Sequence, residues 1–244
     1  PKATRMSELI MHQWQQITES SWLVLFSILG FGVGVFVYRR CGNHPLSHPL
    51  LISTPLIGLA LYLLKIDYVD YYAANGVLNW LLGAATVALA VPLSQQIKNL
   101  SALWPIILLT VLSGGLFAAV SVLVIGNWFV LEPIAILSLV AKSVTTPIAM
   151  IITEQLGGLI TLITVLVLLT GIVGIIVAEP IFTFFNLHDE RWQGLILGVS
   201  AHAIGTLKAF EKSPRCGAFS TVGMGLNGIW TTLFLIPLMQ AFGP

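Results

Sequence analysis

LITLITVLVLLTGIVGIIVAEPIFT, residues 159–183, holds no charged side chain before Glu179. A helix crossing the hydrocarbon core needs about 20 consecutive, predominantly apolar residues, and a barrel strand needs about 10 in strict alternation. This stretch is too long and too uniformly apolar for a barrel strand. Backbone in lipid must satisfy its own hydrogen bonds, so it reads as a spanning α-helix. The rest of the chain repeats the pattern: of 244 residues 57% are apolar and 9% charged, with a mean hydropathy of +0.93. Soluble domains carry about 25% charged residues. Disorder, a nucleic-acid-binding surface and a secreted disulfide scaffold are excluded on composition, and a net charge of +1 attracts no polyanion. The partners left are lipid, another membrane protein or a small solute.

Eight such blocks are expected, near residues 21–38, 46–64, 76–95, 103–125, 130–153, 159–183, 192–210 and 217–241. The fold expected is an all-α, polytopic transmembrane bundle of about eight spans with discontinuous helices (residues 21–244), preceded by an interfacial amphipathic segment (residues 1–20) on which Leu9, Ile10, Met11, Trp14 and Ile17 share a face. Cys41 and Cys216 are far apart in sequence and read as free thiols. With eight crossings, Arg39, Arg40, Lys98, Lys208, Lys212 and Arg215 fall on one side, and Lys2, Arg5, Lys65 and Arg191 on the other. The first side is then cytoplasmic and both termini face outward.

Three blocks read poorly as membrane helices. The third carries Gly83 and Pro92, the fifth carries Lys142-Ser143-Val144-Thr145-Thr146-Pro147, and the seventh carries Ser200-Ala201-His202-Ala203-Ile204-Gly205-Thr206. Breaks are expected at Pro92, Pro147 and Gly205, because proline lacks a donor and non-helical backbone at membrane depth survives only inside protein or beside a watery cavity. TVALAVPL (86–93) and SVTTPIAM (143–150) are alike enough to suggest an internal repeat, and short enough for chance.

Lys142 is the one lysine or arginine well inside an apolar block, Lys208 standing at the end of the seventh, and a midplane ammonium costs at least about 2.5 kcal/mol. It is either an ion-pair partner of Glu154, a snorkelling side chain, or the electropositive end of a solute cavity. Ser143, Thr145 and Thr146 beside it are either glue between helices or, with a helix restarting at Pro147, donors to a small carboxylate. His202, with Thr206, is either a packed hydrogen-bonding residue or the opposite wall of that site. His202 and Glu154 are the proton-coupling candidates, although Glu154 and Glu179 also suit an interface. No HExxH, GxSxG or phosphate-binding glycine loop occurs, so neither enzyme, metal nor cofactor is expected, the loop triplet His188-Asp189-Glu190 included. Gly30/Gly34 and Gly171/Gly174 permit close helix contact, between copies in a homodimer or within one chain.

AKSVTTPIAM (141–150), TEQLGG (153–158), GVSAHAIGTLKA (198–209) and GAFSTVGMGLNGIWTTLFLIPL (217–238) resemble the C-terminal hallmarks of the LrgB/CidB family, and LGAATVALAVPLSQQ (82–96) resembles its first-half motif. The resemblance implies two alternatives. Bacterial members are named as antiholin-like or holin-like proteins controlling murein hydrolase activity and cytolysis with a small LrgA/CidA-type membrane partner. A plant relative looks like a plastid glycolate/glycerate translocator, and some bacterial pairs are linked to pyruvate. A lysine, hydroxyls and broken helices in one bundle favour a carrier of small 2-hydroxy- or 2-oxo-monocarboxylates in the bacterial inner membrane, with the antiholin-like regulator as its alternative.

Overall fold

The computed structural model describes residues 21–78 and 103–243, together with the isolated positions 81, 88, 91 and 94. The amphipathic segment 1–20, Pro92 and the TVALAVPL half of the suspected repeat lie outside the described residues, apart from two isolated positions of the latter. The chain divides into two compact units, residues 1–88 and 89–244. Every described element is helical, as expected from the long charge-free runs.

In the first unit α1 (Ser21–Arg40) ends on Arg39 and Arg40, which favour the negative end of the helix dipole. A short 3-10 turn (Pro45–Ser47) leads to α2 (Pro49–Leu64), whose first turn is opened by Pro49 and capped by the His48 side chain accepting from Leu50 N–H. Lys65, at φ 55°, ends α2 in the left-handed region, and α3 (Tyr68–Ala74) leaves at 119° to it. Gly30 and Gly34 lie against Ile57 and the Pro49 carbonyl, so this glycine face serves α1–α2 packing inside one chain.

The second unit holds α4 (Trp104–Trp128), α5 (Pro133–Leu139), α6 (Thr146–Gln155), α7 (Ile160–Phe184), α8 (Glu190–Lys212) and α9 (Pro214–Phe242). Three of these, α4, α7 and α9, are long and apolar enough to cross a bilayer; α1 of the first unit is a fourth such helix, and α2 with α3 makes a bent candidate. Their outward faces are apolar: Phe117 on α4 is 76% exposed and Val173 on α7 is 55% exposed. Ile107 clusters with Leu195 and Phe219, while Gly115 meets Asn227 and Trp230, so α4 and α9 run parallel.

The seventh block does not cross. At His202 the backbone adopts φ 42°, ψ −127°, and the chain reverses. Ser213 Oγ donates to Glu190 Oε2 at 2.6 Å, bringing the two ends of α8 together, and Gly205 backs onto the Leu197 carbonyl of the other arm. Residues 190–201 and 203–212 are therefore the arms of a re-entrant hairpin, each about 15–18 Å long, or half a hydrocarbon core. Gly194 and Gly198 let the first arm lie directly on the Cys216 and Ser220 carbonyls of α9, a separation that a Cβ would forbid. On the other flank Gly171 faces His202 and Ile204, and Gly174 faces Ala201, so the second glycine pair also packs within the chain.

The fifth block does not cross either. α5 and α6 are 7 and 10 residues long, too short to span, and residues 140–145 between them are unwound. α7 runs antiparallel to the first arm of α8, which is parallel to α9 and hence to α4; α5 and α6 therefore leave and return to the face on which α4 ends. Leu159 N–H donating to Ser138 Oγ at 2.7 Å closes this second re-entrant element. The expected eight crossings are thus corrected, since two of the blocks dip in from opposite faces and return. Length and hydropathy cannot distinguish one crossing helix from two half-length arms.

Candidate functional site

The two re-entrant tips meet on one side chain. Asn227, 1% exposed on α9, donates through Nδ2 to the Ser143 carbonyl at 2.9 Å and to the Val199 carbonyl at 3.3 Å. The Ser143 carbonyl lies in the unwound stretch 140–145, where Pro147 offers it no N–H, and Val199 lies just before the break at His202. Asn227 Oδ1 has no partner and lies against Gly115. Asn227 is absent from the residues singled out by sequence, because an asparagine in an apolar helix carries no local mark of what it bonds; its position in LNGIW was the available signal.

His202 sits at the tip of the α8 hairpin with its ring 2% exposed and Nε2 3.0 Å from the Val167 carbonyl. A carbonyl only accepts, so Nε2 carries the proton in this contact and the ring ties the tip to α7. Thr206 Oγ1 donates to the His202 carbonyl at 2.9 Å, and its second contact, Ser220 Oγ at 2.9 Å, then supplies a donor from α9. The break lies at His202 rather than Gly205, whose missing side chain allows the arms to touch. Pro147 is likewise the second residue of α6, and the break precedes it at residues 140–145.

Lys142 stands in that unwound stretch. Its Nζ is 3.5 Å from the Ala118 carbonyl of α4, and none of the ion pairs among the described residues includes it. Glu154 is exposed near the far end of α6 and is not its partner. Lys142 lines an open cleft of about 510 Å³ between α7 and the first arm of α8, together with Thr170 and the exposed Ser200, and with Ile181 and Phe182 toward the α7 terminus. Ser200 Oγ is turned onto the Ile196 carbonyl at 2.7 Å, leaving Lys142 and Thr170 as the other polar side chains of the lining.

The sequence-derived site is therefore assembled only in part. Ser143, Thr145, Thr146, His202 and Thr206 do not line this cleft. Ser143 is buried at the Asn227 junction, Thr145 and Thr146 start α6 half-buried, and His202 and Thr206 are buried in hairpin packing. Thr170 joins Lys142 instead, and only the turn of α7 that faces the hairpin could have revealed it.

At the base of the hairpin, Arg191 donates to Asp189 at 2.9 Å, Lys208 pairs with Glu211 at 2.9 Å, and Lys212 approaches Glu179 at 3.5 Å. The hydrogen bond from the Arg191 guanidinium holds the Asp189 carboxyl below the usual carboxylate range. Asp189 and Glu190 are thus engaged by Arg191 and Ser213. Among the described residues no three His, Cys, Asp or Glu side chains gather as metal ligands.

Comparison with known proteins covers the same ground. No solved structure matches the chain. It is 37% identical to the uncharacterized protein YwbG of Bacillus subtilis over 84% of this chain and 91% of that one. It is 31% identical to an uncharacterized protein of Haemophilus influenzae, over 88% and 94% respectively. It is 30% identical to the holin-like protein CidB of Staphylococcus epidermidis, over 81% and 86%. The LrgB-like family matches residues 27–241, a range that takes in both re-entrant elements and nearly all of the three crossing helices around them. A multi-pass membrane protein on helical grounds, this chain belongs to the LrgB-like family.

Proposed function

We propose that the chain carries small 2-hydroxy- or 2-oxo-monocarboxylates across the bacterial cytoplasmic membrane. The observation behind this reading is Lys142, an ammonium without an acidic partner among the described residues, lining a cleft beside two opposed re-entrant elements. Discontinuous helices meeting near the midplane are the usual setting of solute sites in carriers. In such a site the substrate carboxylate pairs with Lys142 Nζ and accepts from Thr170, and alternating access follows from movement of the hairpin against α7. Proton coupling would run through His202 or Glu154, and for His202 it requires release of the Val167 carbonyl. Positive charge supports the orientation: Arg191, Lys208, Lys212 and Arg215 all lie at the hairpin base, which we place in the cytoplasm.

Uptake of labelled pyruvate, glycolate and lactate into liposomes tests this reading. Lys142→Ala should abolish uptake while the protein stays folded, since no described carboxylate is left unpaired, and Lys142→Arg should restore part of it. Wild-type uptake by a folded Lys142→Ala protein would overturn the assignment.

The name of the staphylococcal relatives favours a second reading, a holin-like or antiholin-like regulator of murein hydrolase activity acting with an LrgA/CidA-type subunit, with or without a homodimer. Lysis control that survives Lys142→Ala would support it over transport. The glycine pairs offer no surface for a second copy, so self-association would use other faces.

A further inference from the structure

We infer that α9 carries a sodium site, built on Asn227 Oδ1 and Thr231 Oγ1 and completed by backbone carbonyls of the unwound stretch 140–145. Asn227 is 1% exposed and Thr231 2%, and neither of these oxygens has a hydrogen-bond partner. They stand one turn apart on one face of α9, whose next turn, at Leu235, clusters with Ala119 of α4 and with Val140, Ala141 and Val144. A threonine inside a helix commonly bonds the carbonyl four residues earlier, as Thr232 does with Gly228; the Thr231 hydroxyl is not spent on its own helix. On the α4 side Gly115 leaves room at Asn227 Oδ1, since a Cβ there would lie 2.8 Å from it. The unwound stretch supplies further acceptors: Pro147 has no N–H for the Ser143 carbonyl, and Val144 N–H turns to Ala141 at 3.4 Å rather than to Val140. Hard cations take oxygen ligands, and unwound carbonyls at broken helices hold sodium in carriers. A water has two hydrogens to give and would leave the remaining acceptors without donors. With no carboxylate in the set, a monovalent ion fits better than a divalent one, whose affinity depends on charged ligands.

Lys142 gives the site its coupling. Its Nζ lies 3.5 Å from the carbonyl of Ala118, the neighbour of Ala119, so the ammonium and an ion at Thr231 share one buried region of α4. The two cations repel there, and a carboxylate at Lys142 offsets the repulsion. This step rests on the carrier reading and deepens it: sodium and the small acid should bind together, each raising the affinity of the other by the same factor. Sodium then joins the proton as a coupling ion.

Thermal unfolding of the purified full chain in detergent, in sodium chloride against choline chloride of the same strength, tests the site. Sodium at about 100 times its dissociation constant should raise Tm by about 5 °C. Thr231→Val, which keeps the shape and removes the oxygen, should abolish that rise, and Thr231→Ser should retain it; Thr231→Ala serves if the valine variant fails to fold. Pyruvate titrated by calorimetry should bind about tenfold more tightly in sodium than in choline. Equal melting of the wild type in the two salts, or a full sodium rise in Thr231→Val, would overturn the site. A sodium rise that Thr231→Val abolishes, with pyruvate bound equally well in both salts, would keep the site and overturn its coupling to Lys142. If pyruvate binds in neither salt while that rise persists, the carrier reading fails and the sodium site stands.

Discussion

Asn227 and Ser143 are 84 residues apart in sequence and 2.9 Å apart in space, joined by a side-chain amide and a carbonyl that no helix satisfies. The second amide hydrogen goes to Val199, so one residue of α9 holds the two opposed tips. Replacing Asn227 with Ala should leave both carbonyls buried without donors and cost about 2–4 kcal/mol. Asn227→Asp should be no better, because it substitutes an acceptor for the donor. Thermal unfolding in detergent checks this, and a wild-type melting curve for Asn227→Ala would remove the amide from its structural role.

His202 combines backbone strain with a favourable contact. At φ 42° a non-glycine residue costs about 1–3 kcal/mol, while the ring bonds Val167. His202→Ala keeps the strain and loses the bond; His202→Gly loses both. Glycine at this position should therefore be more stable than alanine by about 1 kcal/mol. Equal melting of the two variants would mean that the turn relaxes without glycine.

The hairpin makes a topological prediction. In a chain with Cys41 and Cys216 replaced, His188→Cys and Arg215→Cys should react with a membrane-impermeant maleimide from one side of the membrane, and Glu132→Cys from the other. Labelling of positions 188 and 215 from opposite sides would restore α8 as a crossing helix.

Acid should weaken the hairpin base. Asp189 has a lowered folded-state pKa, so its pairing with Arg191 stabilises the fold above the unfolded carboxylate value near about 3.9 and is lost as pH falls through the lower folded value. Asp189→Asn retains a good helix N-cap without the ion pair. Its melting temperature should lie below wild type near about pH 6 and converge on it toward about pH 2. A gap of constant size across that range would attribute the effect to the cap alone.

How much was legible beforehand differs by residue. Residues 159–183 declare a crossing helix because length and hydropathy are local, and all three such runs of the second unit form single helices long enough to cross. The polar insertions around Lys142 and His202 also announce broken helices, since lipid penalises unpaired backbone wherever it occurs. Sequence alone misplaces the breaks by a few residues, because proline and glycine mark where a helix starts or packs closely. It also places Arg191 on the wrong face, because a 23-residue helix and a hairpin with two short arms have the same composition. What the tertiary structure decided is which polar groups come together: Lys142 and Thr170 on the lining of one cleft, and Ser143 with Val199 through Asn227. Those pairings depend on distances between segments far apart in the chain, whereas hydropathy and helix-breaking chemistry act residue by residue.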